Sequence, residues 1–284
     1  MAESLRQIRR RIRSVESIHK MTGAMEMVAS SKIRSLERGL LAGERYFSVL
    51  RGMLNGVLAA FPEHSHPLLV PSRAASAPLL CLFTSDSGLC GSYNTAVLNR
   101  AGAFLRERAG EKPALVLIGK KGISHFQRRG FGVAASYPGL FGRYRREVAE
   151  EIASRLAGFF LSGKASAVHL LYTARDASRR YAPVLERFLP VERPPAASGA
   201  RLSEPSPGEL LAVLLPAFLS AALSRAMLAA FATEQAIRAW AMHEATENAS
   251  ELFDTLIIQR NKIRQAEITR DITEVISSAE ALRR

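Results

Sequence analysis

The sequence predicts an α/β protein in which a long antiparallel coiled coil, made by the N- and C-terminal helices, carries a Rossmann-like α/β domain in the middle of the chain. Two observations at the ends and one in the middle predict it. Ser4 to Ala60 contains no proline, and from Glu209 to Leu282 the only one is Pro216. At about 1.5 Å rise per residue these stretches measure roughly 85 and 110 Å, whereas a compact chain of this length has a radius of gyration of about 19 Å. Between them, β-like and helical runs alternate, the pattern of a parallel sheet with right-handed crossovers.

In the first helix apolar residues fall at Leu5, Ile8, Ile12 and Val15, then at Ile33, Leu36 and Leu40, and again at Phe47, Leu50, Leu54 and Val57. Steps of three and four are the seam of a coiled coil. From Glu16 to Lys32 the rhythm weakens, with His19, Lys20, Thr22, Ser30 and Ser31 crowding the stripe. The last helix is read through Ala241, Ala245, Ala249, Leu252, Leu256, Gln259, Ile263 and Ala266, with a second stripe at Ile268, Ile272, Val275, Ala279 and Leu282. The change of register near Gln265 predicts a change of twist there.

The predicted organisation is a first helix over 1–61, a linker over 62–78, an α/β domain over 79–190, a Pro-rich linker over 191–208 and a last helix over 209–284. Strands are expected at Leu79–Thr84, Ala114–Ile118, Gly132–Ala135 and Ala167–Tyr172, and helices near Thr95–Arg108, Lys121–Arg128 and Tyr144–Leu161. No room is left for a further helix before the second linker. Arg179–Leu189 is therefore expected to return as an antiparallel edge strand, where Pro183 is tolerated.

Composition narrows the class of function. Hydrophobic residues at 48% allow a real core, and the formal net charge of +13 over 284 residues implies an acidic partner. Two cysteines, Cys81 and Cys90, are too few for a disulfide framework or a four-ligand zinc site. The N-terminus lacks the apolar stretch of a secretory signal. The longest charge-free stretch, Leu210–Ser224, is 15 residues and contains Pro216, short of the roughly 20 that span a bilayer. Membrane association is expected through partners.

Motifs of catalysis are sparse. The run from Thr84 to Asn94 follows the first strand and precedes a helix, where doubly wound folds bind ligands, but Gly88 and Gly91 do not form a dinucleotide or phosphate loop, and Gly119-Lys120-Lys121-Gly122 is only an imitation of one. His64 and His66 lie in a linker with only Glu63 nearby, so a solvated tip is expected rather than a metal site. His19, His125, His169 and His243 lack partners for a triad or a ligand set. No catalytic, cofactor or metal residue is predicted. Arg6, Arg9, Arg10, Arg11 and Arg13 are spread around their helix without interleaved aromatics to stack bases. A socket-facing helix surface and a nucleic-acid-binding arm on a Rossmann-like enzyme both remain open on these grounds.

Three ordered segments carry a resemblance: Ile8–Val15 followed by His19–Ala29, Thr84–Gly91, and Asn261–Thr269 continuing to Glu274. Together they resemble the signatures of the gamma-subunit family of rotary F-type ATP synthases, with weaker echoes at Leu214–Pro216 and Ala241–Ala249. The resemblance spans the chain. It implies a non-catalytic rotor shaft without a cofactor, with alpha and beta subunits, an epsilon subunit and a c-subunit ring as partners, no nucleic acid, and a peripheral place on the cytoplasmic face of a bacterial plasma membrane. It further implies that Arg264, Gln265 and Thr269 meet a catch loop of a beta subunit, and that Arg238, Met25 and Glu26 lie on the part of the shaft facing the ring or the opposite helix. Asp86, Gly88, Leu89, Cys90 and Gly91 fall on the side of epsilon or the c ring. Gly23, Ser87 and Ile263 depart from the family pattern, which usually has lysine, arginine and alanine at these positions. With no presequence ahead of the shaft, a divergent bacterial member is expected.

Overall fold

The computed structural model describes residues 5–71, 77–175, 180–195 and 204–281. Ser4, Arg179 and Leu282, and residues 72–76 and 196–203 of the two predicted linkers, lie outside them. In order, the chain forms α1 (Leu5–Ala60), β1 (Leu79–Phe83), α2 (Tyr93–Glu107), β2 (Ala114–Ile118), α3 (Lys120–Gln127), β3 (Val133–Tyr137), α4 (Arg146–Leu161), β4 (Val168–Arg175), β5 (Tyr181–Leu189) and α5 (Pro207–Ala281). It divides into two compact units, one of Met1–Ala29 with Ala239–Arg284 and one of Ser30–Arg238.

In the first unit α1 and α5 run antiparallel around one apolar cluster. Ile8, Ile12 and Val15 are buried with Ala249 and Leu256, and Leu5, Phe253 and Ile263 pack against them. On α1 residues 16–21 are exposed, so the seam does weaken there, and inward positions resume at Thr22, half-buried Glu26 and buried Ala29 with a changed chemistry. On α5 the inward positions are Met242, Thr246, Ala249, Phe253, Leu256, Arg260 and Ile263. Leu252, Gln259 and Ala266, expected on the seam, are exposed. Steps of three and four fit 249-252-256 and 249-253-256 equally, and the larger Phe253 takes the inward place. The second stripe is also corrected: Ile268, Ile272 and Val275 are 50–68% exposed. The register change near Gln265 marks the end of pairing, because Leu5 at the start of α1 packs in the same cluster as Ile263.

The second unit has three layers. Its sheet runs in the order β3-β2-β1-β4-β5, parallel from β3 to β4 and closed by the antiparallel β5. Pro183 lies on that edge strand, where its missing N–H breaks no ladder. Alternation sorts the side chains of β1: Leu79, Cys81 and Phe83 join one core and Leu80 and Leu82 the other. The second core lies under α2 and α3, through Val97, Ala101, Phe104 and Phe126. The first joins α4 to the C-terminal half of α1 and the N-terminal part of α5, with Leu54, Leu58, Leu215, Leu219, Leu223 and Met227 in one cluster.

Burial of this kind explains the apolar start of α5. An 18-residue window there reaches a mean hydropathy of 1.8, enough by composition to cross a bilayer although the charge-free run is shorter, and half of it is buried inside the protein. Phe218 stacks on Phe47 at 5.2 Å between ring centroids. The Arg225 guanidinium lies over the same Phe47 ring and donates to both Glu186 oxygens at 2.6 Å.

Candidate functional site

The order of the sheet places its topological switch point beside β1, so the loop after β1 stands where doubly wound folds receive ligands. Thr84 ends β1 by donating its hydroxyl to the Ile118 carbonyl at 2.8 Å and accepting the Gly122 N–H at 2.9 Å. A Cβ at Gly119, where φ is +91°, would lie 2.0 Å from the Thr84 carbonyl oxygen. The two glycines around Lys120 and Lys121 thus serve close packing of β2 on β1.

Asp86 occupies the centre of the loop. Its carboxylate accepts the backbone N–H groups of Lys120 at 3.0 Å, Gly139 at 2.8 Å and Phe141 at 2.7 Å. These are the donors, one at the start of α3, that an anionic ligand would need. The side chain itself takes all three. Ser85 and Asn94 close the turn, the Asn94 amide donating to Ser85 Oγ at 2.7 Å and to Cys90 Sγ at 3.2 Å. Cys90 is buried, while Leu89 is 57% exposed at φ +61°.

The loop is tied to α5 over two turns. The Tyr93 hydroxyl donates to the Ala230 carbonyl at 3.2 Å, and a Cβ on Gly91 would stand 3.3 Å from Ile237. Arg238 donates to Ser87 Oγ at 3.1 Å and to the Gly88 carbonyl at 3.4 Å, and its other nitrogen meets Glu234 Oε1 at 2.7 Å. Arg238 is thus buried against its own chain. Glu234 Oε2 is buried without a hydrogen-bond partner among the described residues, and burial pushes this carboxyl above the ordinary value of 4.5 against the pull of Arg238. From α1, Lys32 donates to the Phe141 carbonyl at 3.2 Å; burial first, then Arg143, pull its pKa down. A Cβ at Gly142 would come within 2.6 Å of the Gln235 amide. Glu234 and Lys32 were not singled out from sequence, although a Glu and an Arg four residues apart after the apolar run Ala226–Ala232 is a readable signal of a buried pair.

In the first unit the seam carries a polar step. Thr246 donates to the Thr22 hydroxyl at 2.7 Å, and Thr22 donates to the Ile18 carbonyl at 3.0 Å. His243 stands 3.2 Å from Glu26 and 3.5 Å from Glu247. Met25, beside Glu26, is half-buried, and His19 is exposed. Arg264, Gln265 and Thr269 are exposed beyond the seam, with the Thr269 hydroxyl donating to the Gln265 carbonyl at 2.9 Å. Of the other histidines, His66 accepts the Leu68 N–H at 3.2 Å and caps a short turn, and His169 lies by Phe104 with its pKa lowered by burial to about 4.

The whole of this arrangement has relatives. A model of the ATP synthase family matches residues 4–282. The ATP synthase gamma chain of Pelotomaculum thermopropionicum is 35% identical over 283 residues, covering 98% of this chain and 99% of its own; that of Desulforamulus reducens is 37% identical over the same shares. The chain belongs to the ATP synthase gamma-chain family. Solved structures support the fold of the gamma chain. A chain of the Euglena gracilis mitochondrial ATP synthase OSCP/F1/c-ring structure, in rotational state 3, aligns with a TM-score of 0.68 at 16% identity, covering 98% of this chain and 94% of that one. A chain of the Tetrahymena thermophila mitochondrial central stalk and c-ring structure aligns with a TM-score of 0.62 at 23% identity, covering 79% and 99%.

Proposed function

We propose that this gamma chain is the central rotor shaft of a bacterial F-type ATP synthase. It is a non-catalytic subunit, coupling ion-driven rotation of a membrane c ring to conformational change in catalytic beta subunits. The observation that carries the reading is the match to gamma chains over nearly the full length, through both terminal helices and the middle domain. The loop after β1 agrees with it, since Asp86 uses the backbone donors that a nucleotide phosphate would require.

A shaft acts by presenting different faces to identical neighbours. A beta subunit that holds one face better when open and another when closed is driven between these states as the shaft turns, to the extent that the two contacts differ in free energy. On this reading residues 1–61 and 209–284 form the shaft, and the α/β domain over 79–190 serves epsilon and the c ring. Arg264, Gln265 and Thr269 are the contacts for a beta-subunit loop, with Met25 and Glu26 on the same shaft. Asp86, Gly88, Leu89, Cys90 and Gly91 belong to the foot, where only Leu89 offers a substantial exposed side chain. Arg238 serves the shaft from inside, by fixing α5 to the foot. The complex lies on the cytoplasmic face of the plasma membrane, which fits the bacterial sources of the relatives.

Reconstitution tests the proposal. The purified chain is expected to hydrolyse no ATP alone and to restore coupled hydrolysis when mixed with alpha and beta subunits and returned to stripped membranes. Intrinsic ATPase activity, or failure to join the alpha–beta ring, would overturn it.

A further inference from the structure

A deep groove lies away from the loop after β1, beside α2 and α3. It measures about 1050 Å³ and runs between α2, the end of α3 and the start of β3. Its floor is apolar: Leu98, Gly102 and Leu105 line it at successive turns of α2, with Phe126, Phe131 and Val133 across from them. Phe131 stands edge-on to Phe126 at 5.4 Å between centroids and remains 40% exposed, a large aromatic surface held in place but uncovered.

The rim is of one sign. Arg106, Lys112 and Arg129 line the groove, and among the described residues no acidic side chain does. Among the described residues neither Arg106 nor Lys112 has an ion-pair partner, and Arg129 donates only to the His125 carbonyl, at 3.1 Å. His125, also on the wall, is held below its ordinary pKa by burial and by Arg129 and Arg128, so it adds a neutral ring rather than a fourth charge.

We propose that this groove binds a free single-chain amphiphile with an anionic head, of the fatty-acid carboxylate class: the tail on the Leu98–Leu105–Phe131 floor, the head between Arg106 and Arg129. Small-molecule sites are concave and mostly apolar, with a few placed polar groups, and run to roughly 1,000 Å³. The charge selects the head and the continuous floor selects a tail. A nucleotide fits less well, because among the described residues the floor opposite the cations is apolar, formed by Leu98, Leu105, Phe131 and Val133. An acidic peptide added to the free edge of β3 fits poorly too. Leu115 pairs with Val133 and Val116 with Ala135, which leaves Ala134 as a bulge where the groove meets the strand, and a bulge interrupts the ladder that an added strand needs. The inference is independent of the rotor reading.

The test is calorimetric titration of the full chain with dodecanoate below its micelle concentration, with the methyl signals of Leu98, Leu105 and Val133 followed by NMR to locate the site. Saturable one-to-one binding that shifts those methyls is expected. Decanoate should bind on the order of tenfold more weakly, at about fourfold per methylene. Dodecanol, without the charge, and the double variant Arg106→Ala/Arg129→Ala should each weaken binding at least tenfold, with an unchanged melting temperature showing that the exposed substitutions leave the fold intact. Binding that is absent, equal for dodecanol, or indifferent to the variant overturns the proposal. So does occupancy of the same methyls only by vesicles of anionic phospholipid, or only by a peptide of alternating Glu and Leu.

Discussion

Arg238 Nη1 stands 2.7 Å from Glu234 Oε1, one helical turn away, with only 8% and 2% of the two side chains exposed. The same guanidinium reaches the loop after β1 at Ser87 and Gly88, so an ion pair within α5 also fastens α5 to the sheet. A pair so placed is worth little against a well-packed apolar replacement, but removing one partner strands a buried charge.

Arg238→Ala is therefore expected to destabilise the chain by about 3–5 kcal/mol. The double variant Arg238→Met/Glu234→Leu should cost much less than the two single changes added together. Urea unfolding of the parent, Arg238→Met, Glu234→Leu and the double variant measures this; additive losses would show that the residues act separately.

Glu234 also makes stability depend on pH. Burial raises its folded pKa above the ordinary 4.5, so the unfolded chain gives up this proton first as pH rises. The contribution of Glu234 is complete below about 4.5 and is lost as pH climbs through the folded value. Relative to Glu234→Gln, the native protein should lose stability between mildly acidic and neutral pH. A stability difference that stays flat, or moves the other way, would contradict the assignment.

The Thr22–Thr246 hydroxyl pair predicts non-additivity on the seam. Valine at either position should cost about 1 kcal/mol, and valine at both should cost less than the sum, because the double variant leaves no hydroxyl facing an apolar neighbour. Thermal unfolding of the cycle decides the sign.

Arg264 and Gln265 are exposed, so Arg264→Ala/Gln265→Ala should change the stability of the isolated chain by no more than about 0.5 kcal/mol per site. On the proposed reading, the same substitutions should lower ATP hydrolysis by the reconstituted complex several-fold. Unaltered turnover would remove these two residues from the contact.

Much of the fold was legible because its signals are local. Alternation and breaks give every strand of the sheet to within a few residues, and the absence of room after Tyr172 gives the antiparallel edge. The seam was less legible on α5, where spacing alone does not choose between Leu252 and Phe253. Reading Thr22 as crowding the stripe had a similar cause, since an apolar criterion cannot recognise a seam position filled by a hydroxyl. At the switch point the sequence shows the place but not its occupant. That Asp86 takes three backbone donors depends on Lys120, Gly139 and Phe141 arriving from distant parts of the chain.

The exposed end of α5 carries a thermodynamic consequence. From Arg264 to Ala281 the helix is exposed wherever its side chains are described, supported by same-helix contacts such as the Arg270–Glu274 pair at 2.9 Å. A single helix of about this length is marginal in water, so in the free chain these turns open far more readily than the seam before them. On the proposed reading a socket that covers Ile268, Ile272 and Val275 supplies the missing burial, and part of its binding energy is then spent on ordering these turns.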